Sequence, residues 1–440
     1  MSSAANEVNF DGIVGPTHNY AGLSFGNRAS MKSAGAPSNP RLAARQGLAK
    51  MRILHELGPA QGVLPPPQRP DPTALGGLGV GHLAPVDALT QLSAVSPALL
   101  ATAMSASSMW AANAATVSPS ADCADGRVHL TPANLVSTAH RSFESVQTRS
   151  MLSRVFADPE RFVVHDALPA AAAFADEGAA NHSRLARSHC EAGVEMFVFG
   201  AEPGEAPTLG FPRRQSRLAS ALVARSHGLA ADRTMLVRQS PVAIDSGAFH
   251  NDVVAVANES VLFAHEGAFA DRDAVRRDLP EWVELIEVPE AEVPLDDAIA
   301  SYLFNAQLLT VPSGRMLLVA PGEVAETPST GRYVEQLVAS SGPIGEVRIV
   351  DLRQSMRNGG GPACVRLRVV LTESEQAALS GRVIVDDTSL DALEGWVDRH
   401  YRDELRPDDL RDHQFIDETC RALDELTQLL DLPELYPFQR

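Results

Sequence analysis

FHNDVVAVANESVLFAH, residues 249–265, pairs two strand-like runs around a short polar break. Val253 to Ala257 and Ser260 to Ala264 are rich in β-branched and apolar side chains, and Asn258-Glu259 leaves room only for a tight turn, so the stretch reads as a β-hairpin. The same grammar recurs where Leu308 to Val311 is followed by Pro312-Ser313-Gly314 and Met316 to Val319. Helical patterns lie between such hairpins. Asn39-Pro40 ahead of Leu48, Met51 and Leu54 supplies an N-cap, a first-turn proline and one apolar face, and further helices are expected at 146–157, 215–227, 330–340 and 389–404. Alternating strands and helices define an α/β chain, and hairpins between helices argue against an all-parallel sheet. Repeated antiparallel-plus-crossover units fit, although no fixed sequence period emerges. The most loop-like stretch is VLPPPQRPDP at 63–72, whose prolines cannot donate to a ladder. Composition does not change across it, so residues 1–440 are read as a single domain.

Composition narrows the function. The chain has 440 residues, and 37 Lys+Arg against 55 Asp+Glu leave a formal charge of −18, which opposes binding to nucleic acid or an anionic membrane. With 45% hydrophobic and 21% charged residues the chain can bury a large core. Lys32 and Lys50 are the only lysines and neither follows a glycine, which excludes a G-x-x-x-x-G-K phosphate loop and leaves two candidates for a Schiff base. Cys123, Cys190, Cys364 and Cys420 form no C-x-x-C pair, so neither a disulfide framework nor a zinc ribbon is expected. The N-terminus lacks a secretory pattern and no window is apolar enough to span a bilayer, so the expectation is a cytoplasmic protein.

Three segments carry candidate chemistry. In Asn358-Gly359-Gly360-Gly361-Pro362-Ala363-Cys364 a glycine turn delivers a cysteine to the mouth of the strand-like run VRLRVVL, a setting for a nucleophile as well as for a buried structural thiol. A free thiol is only a few per cent ionised at neutral pH and needs a partner. His250 sits in a similar turn ahead of VVAV, and two turns feeding two strands would place both side chains at one sheet end. Asp176-Glu177-Gly178 is the third segment, where Glu177 is placed to orient a histidine or to clasp a cation. His182, His189 and Cys190 match no metal-ligand spacing, and GGLGVG at 76–81 follows no clear strand and is read as a loop. Arg213-Arg214 before a helix and His140-Arg141 after ANLV offer donors for a carboxylate.

Together these segments resemble the N-succinylarginine dihydrolase family. The motifs run in the family's order: THNYAGLSFGN at 17–27, SNPRLAARQGL at 38–48, NAATVSPSAD at 113–122, DEGAANH at 176–182, FHNDVVAV at 249–256 and NGGGPACVRLRVVLT at 358–372. The match extends from EVNFDG at 7–12 to YPFQR at 436–440, with 66–100 as the stretch outside it. The resemblance implies a pentein fold, a five-bladed α/β propeller of ββαβ-type units. It implies Cys364 as nucleophile with His250 and Glu177 as partners. Substrate contacts are implied from Ala21, Gly22, Leu23, Ser24, Phe25, Gly26, Asn27, Arg28, Ala29 and Ser30, and from Asn113, His140, Arg141, Arg214, Asp252 and Asn358. It further implies a homodimer and a reaction that needs no metal or organic cofactor.

The implied reaction converts the guanidino group of N-succinylarginine to the amine of N-succinylornithine through a covalent amidino intermediate on Cys364, releasing two ammonia and carbon dioxide. A guanidinium is a poor electrophile, so the site must hold it between carboxylates, with Glu177 and Asp252 as candidates, and present a thiolate to its central carbon. Arg214 and the His140-Arg141 pair are suited to the succinyl and α-carboxylate groups. A single-step deiminase or amidinotransferase, or a binding protein without catalysis, would use the same pocket. A papain-like hydrolase is disfavoured because its cysteine should open a helix.

Overall fold

The computed structural model describes residues 4–202, 204–205 and 210–440. Among the described residues fifteen strands form five three-stranded sheets that repeat one plan. A first strand runs antiparallel to a middle strand, the middle strand lies parallel to a third, and a helix crosses over between the last two. β1 (Ala5–Gly12) and β2 (Ala60–Leu64) are such a parallel pair, joined through the helix Pro40–Leu57. β3 (Ala115–Ser118), β4 (Val128–Pro132) and β5 (Phe162–Val164) follow, with Glu144–Val155 as crossover. β6 (His182–Leu185), β7 (Val194–Phe199) and β8 (Thr234–Arg238) use the helix Arg217–Ser226. β9 (Ala255–Asn258), β10 (Val261–His265) and β11 (Glu284–Val288) use Arg272–Asp278. β12 (Gln307–Thr310), β13 (Met316–Pro321) and β14 (Ile344–Val350) use Pro328–Ala339. β15 (Arg366–Thr372) then returns to pair antiparallel with β1, so the first sheet is completed by strands from both ends of the chain.

This is the ββαβ repetition expected, and it explains why no period shows in the sequence: the connections differ in length while the pairing pattern stays constant. First strands meet across sheets, β15 beside β3, β6 beside β9 and β9 beside β12. Arg368 on β15 ties three sheets together, donating to Ala257 O at 2.7 Å on β9 and Leu308 O at 3.1 Å on β12 while its Nε faces Glu7 Oε2 at 2.8 Å on β1. Buried carbonyls need such partners, since an unsatisfied one costs about 1–3 kcal/mol.

Local sequence accounts for the helix boundaries. Asn39 Oδ1 accepts from Leu42 N at 2.8 Å to cap Pro40–Leu57, and Gly58 ends the helix at φ +106°, a left-handed conformation suited to glycine. The one buried lysine, Lys50, pairs with Asp11 at 2.5 Å, which anchors this helix to β1. The hairpin at 249–265 forms one residue later than its sequence suggests. Asn258 pairs with Val261, Glu259 takes φ +43° in the turn, and Val253 is drawn into a short 3₁₀ turn, Asn251–Val253, ahead of β9. The stretch 63–72 is largely packed rather than a linker: Arg69 donates to Ser105 O at 2.7 Å and pairs with Glu144 at 2.5 Å. Gly76 and Gly77 of the expected loop end a short helix, Pro72–Gly77. With Pro85–Val95 and Pro97–Ala103 it packs Leu75, Leu89 and Leu92 against Leu405, Phe415 and Ile416 near the C-terminus.

Candidate active site

The five first strands share a feature that positions the chemistry: the residues just ahead of each strand meet at one place. Asn113 precedes β3, Glu177 precedes β6, His250 and Asp252 precede β9, Asn305 precedes β12, and Cys364 precedes β15. Cys364 and His250 therefore belong to two different sheets, not to one sheet end.

Glu177 and His250 are fully buried, and Glu177 Oε2 lies 2.8 Å from His250 Nε2. The same oxygen accepts from Arg141 Nη1 at 2.6 Å, and Oε1 accepts from Ser137. Burial alone would raise the Glu177 pKa, but Arg141, His250 and Arg214 hold it well below the usual carboxylate range. An ionised carboxylate can only accept, so Nε2 of His250 carries the proton and Nδ1 holds the lone pair. Nδ1 has no partner among the described residues. Burial draws the His250 pKa down to about 4 even though Glu177 pulls it up, which keeps the ring neutral near pH 7. With both its oxygens engaged, Glu177 is placed to orient the histidine, and the cation it clasps is Arg141.

Around Glu177 the backbone is held by amides. Asn113 Nδ2 donates to Glu177 O at 2.6 Å, and Gln215 Oε1 accepts from Glu177 N at 2.7 Å.

Cys364 is buried at the end of the glycine turn. Its Sγ accepts from Asn305 Nδ2 at 3.1 Å and donates to Asp252 Oδ2 at 3.6 Å. Burial, reinforced by Asp252, pushes the thiol well above its ordinary value. Burial likewise raises Asp252, to about 7, while its Oδ1 has no partner among the described residues. That carboxyl is the one beside the thiol with an atom left to meet a cation.

Each glycine of the turn is required by a neighbour. A Cβ on Gly359, at φ +104°, would fall 2.0 Å from Asn27 Nδ2; one on Gly360, 2.4 Å from Trp110 Nε1; one on Gly361, 2.6 Å from Asn305 Oδ1.

Residues 21–30 run over this turn and are clasped at three points. Asn27 Nδ2 donates to Gly359 O at 3.0 Å, Arg214 Nη2 donates to Phe25 O at 2.7 Å, and Ser24 Oγ lies 3.4 Å from His140 Nε2. Asn27 also caps the short helix Arg28–Lys32 by accepting from Ser30 N at 3.1 Å. Arg28 and Phe25 stand apart from the buried cluster: Arg28 is largely exposed and faces Asp296 at 3.5 Å, and the Phe25 ring packs on Phe211.

Arg141 and Arg214 are buried. Arg141 lies 5.7 Å over the Trp110 ring and Arg214 4.9 Å over the Phe249 ring, and each keeps an Nε with no partner among the described residues. Burial lowers Arg214 to about 10 and His140 to about 3, the latter also depressed by the two arginines. Asn358 Nδ2 donates to Met109 Sδ at 3.5 Å.

A separate cavity of about 550 Å³ opens between the 63–72 segment, the helix Glu144–Val155 and the C-terminus, and Asn113 and Trp110 are where it adjoins the cluster around Glu177 and Cys364. His182 bonds Glu195, His189 faces Glu259 at 3.9 Å and Cys190 accepts from Ala5 N at 3.1 Å. Among the described residues no cluster of His, Cys, Asp or Glu is arranged to hold a metal ion, and no helix is long and apolar enough to cross a membrane.

Asn305, Gln215 and Ser137 escaped the sequence reading. Asn305 had a signal available: Asn113, Asn305 and Cys364 each stand two positions ahead of their strands, 113 against 115, 305 against 307 and 364 against 366.

The five ββαβ units give the protein a pentein fold. Its fold is shared with the arginine dihydrolase of the cyanobacterial ornithine–ammonia cycle: the substrate-bound N-terminal domain of a mutant of that enzyme superposes with a TM-score of 0.50 at 13% identity, covering 83% of this chain and 98% of that one. The ligand-free form of the same enzyme gives 0.51 at 14% identity, over 83% of this chain and 40% of that one. At the level of sequence the chain belongs to the succinylarginine dihydrolase family, whose model matches residues 4–439. The N-succinylarginine dihydrolase of Burkholderia thailandensis is 52% identical over 99% of this chain and all of the relative, and that of Burkholderia cenocepacia is 51% identical over the same shares.

Proposed function

We propose that the protein hydrolyses the guanidino group of N2-succinyl-L-arginine to N2-succinyl-L-ornithine, two ammonia and carbon dioxide, in arginine catabolism by the succinyltransferase route, with residues 1–440 acting as one catalytic unit. Membership of the family over 4–439 supports the reaction. The observation that carries the site is that a single turn, 250–252, presents His250 to Glu177 at 2.8 Å and Asp252 to Cys364 at 3.6 Å.

In this reading Asp252 receives the guanidinium, whose positive charge offsets the factors that raise the Cys364 thiol. The thiol proton passes to His250, and the thiolate attacks the central guanidinium carbon. The imidazolium then protonates the departing nitrogen, and ammonia leaves an amidino group on sulfur. Water attacks that carbon as His250 Nδ1 takes its proton, and collapse returns the thiolate and a ureido product. A second passage through the same steps releases the second ammonia and a carbamate that loses carbon dioxide. Glu177 holds the imidazole in the required tautomer and stabilises its protonated form, as a buried carboxylate does in a catalytic triad.

Arg141 and Arg214 are assigned to the succinyl and α-carboxylate groups, with His140, Asn113, Asn358 and residues 21–30 completing the enclosure. Anchoring remote from the guanidinium matters because the ureido intermediate has lost its charge and must be retained. The test is ammonia released per N-succinylarginine consumed, with Cys364→Ala and unsuccinylated arginine alongside. A ratio near two with an inactive cysteine variant is expected; a ratio near one would move the protein to single-step deiminase chemistry. A homodimeric, cytoplasmic enzyme completes the proposal, and light scattering of the purified protein checks the dimer.

A further inference from the structure

In the ring of segments that meet at the site, the unit beginning with β12 contributes a residue to which no role has been given. Asn305 is fully buried and stands two positions ahead of β12. The entry to that strand grips the turn bearing the nucleophile at two further points: Asn305 O accepts from Ala363 N at 3.2 Å, and Gln307 Nε2 donates to Pro362 O at 2.7 Å. Any residue at 305 would supply that backbone oxygen. The side chain does something different, because its Nδ2 points at Cys364 Sγ from 3.1 Å.

A buried thiolate needs a donor. A cationic donor in contact with sulfur would stabilise it most, but would also repel an incoming guanidinium. The two site arginines lie with Glu177, and no cationic group contacts Sγ among the described residues. A carboxamide offers an N–H without net charge. We propose that Asn305 is a catalytic residue, whose Nδ2–H stabilises the Cys364 thiolate through both passages of the reaction while leaving the guanidinium site free of positive charge. The proposal rests on the nucleophile reading above. Its weight falls on the second passage, where the substrate is a neutral ureido group and no longer supplies a cation beside sulfur.

The ionisable groups facing this atom are Asp252 from the turn before β9, to which the Asn305 carboxamide also hydrogen-bonds, and Tyr302 from the segment before β12, with Arg366 on β15 acting on Asp252. All three are retained in the test. The rate of Cys364 alkylation by iodoacetamide, followed by mass spectrometry against pH, reports the thiol directly and needs no turnover. A hydrogen bond to a charged group corresponds to an upward shift of about one to two pH units in Asn305→Ala. Asn305→Asp keeps the shape and the backbone oxygen but removes the donor, so it should shift at least as far and remain measurable if the alanine variant is unstable. Both should release ureido product, lowering the ammonia ratio from two towards one. A profile superimposable on wild type in the folded aspartate variant overturns the role of Asn305. If instead Cys364→Ala still consumes substrate at the wild-type rate, the nucleophile reading fails independently.

Discussion

Replacing Glu177 with glutamine preserves the shape of the most buried carboxylate in the site and removes its charge. The consequence follows from the partners. Arg141, 2.6 Å from Oε2, is fully buried and has no other anion on its guanidinium among the described residues, and Arg214 lies close enough to contribute to the Glu177 field. Breaking a buried pair by neutralising one member typically costs about 3–5 kcal/mol, because the remaining charge is left uncompensated. That is a large part of the roughly 5–15 kcal/mol that stabilises a native protein. Neutralising both members in Glu177→Gln/Arg141→Met should return most of the loss. Activity should behave differently: either variant leaves His250 without an ionised partner, and disrupting tautomer control in a comparable triad lowers kcat by about 10⁴-fold. The assay is urea unfolding of the three proteins beside ammonia release. If Glu177→Gln is destabilised by less than about 1 kcal/mol, or if the double variant recovers activity, the argument from uncompensated buried charge is wrong.

Gly359→Ala should disrupt the clasp between residues 21–30 and the glycine turn, since its Cβ would meet Asn27 Nδ2 at 2.0 Å in a left-handed conformation costing about 1–3 kcal/mol; a raised KM with a lowered melting temperature is expected. Arg368→Met removes the donors for Ala257 O and Leu308 O and should cost about 1–3 kcal/mol per orphaned carbonyl in denaturant unfolding, with Cys364 alkylation unchanged in the folded fraction. The His250 ring should titrate near 4 by NMR rather than near 6.5, and lower still in Glu177→Gln because Glu177 favours its protonation. As the folded value lies below the unfolded one, the contribution of His250 to stability is whole above about pH 6.5 and is lost as pH falls towards 4.

Much of the molecule was legible before its structure. The helix at Pro40–Leu57 announced itself through Asn39, Pro40 and the apolar face of Leu48, Met51 and Leu54, because capping is a local bargain between a side chain and the orphan amides three residues away. Both hairpins were readable for the same reason. The three glycines at 359–361 marked a close approach, though only the folded chain shows that Asn27, Trp110 and Asn305 are what approach. Cys364, His250 and Glu177 were singled out by their turns and by family resemblance. Their partners were not all legible, since Arg141, Ser137 and Gln215 reach Glu177 from distant segments and hydrogen bonds of that kind leave no periodicity.

What the sequence determines by itself is therefore local: where strands, helices and turns begin and end, and which short segments carry reactive side chains. Tertiary structure decided the rest. It placed β15 beside β1, gathered the ends of five first strands into one site, engaged both oxygens of Glu177 and left Asp252 and Asn305 at the thiol. The physical reason is range. Caps and turns are settled among neighbours in the chain, whereas burial, charge compensation and the pKa of a thiol depend on groups brought together only by folding.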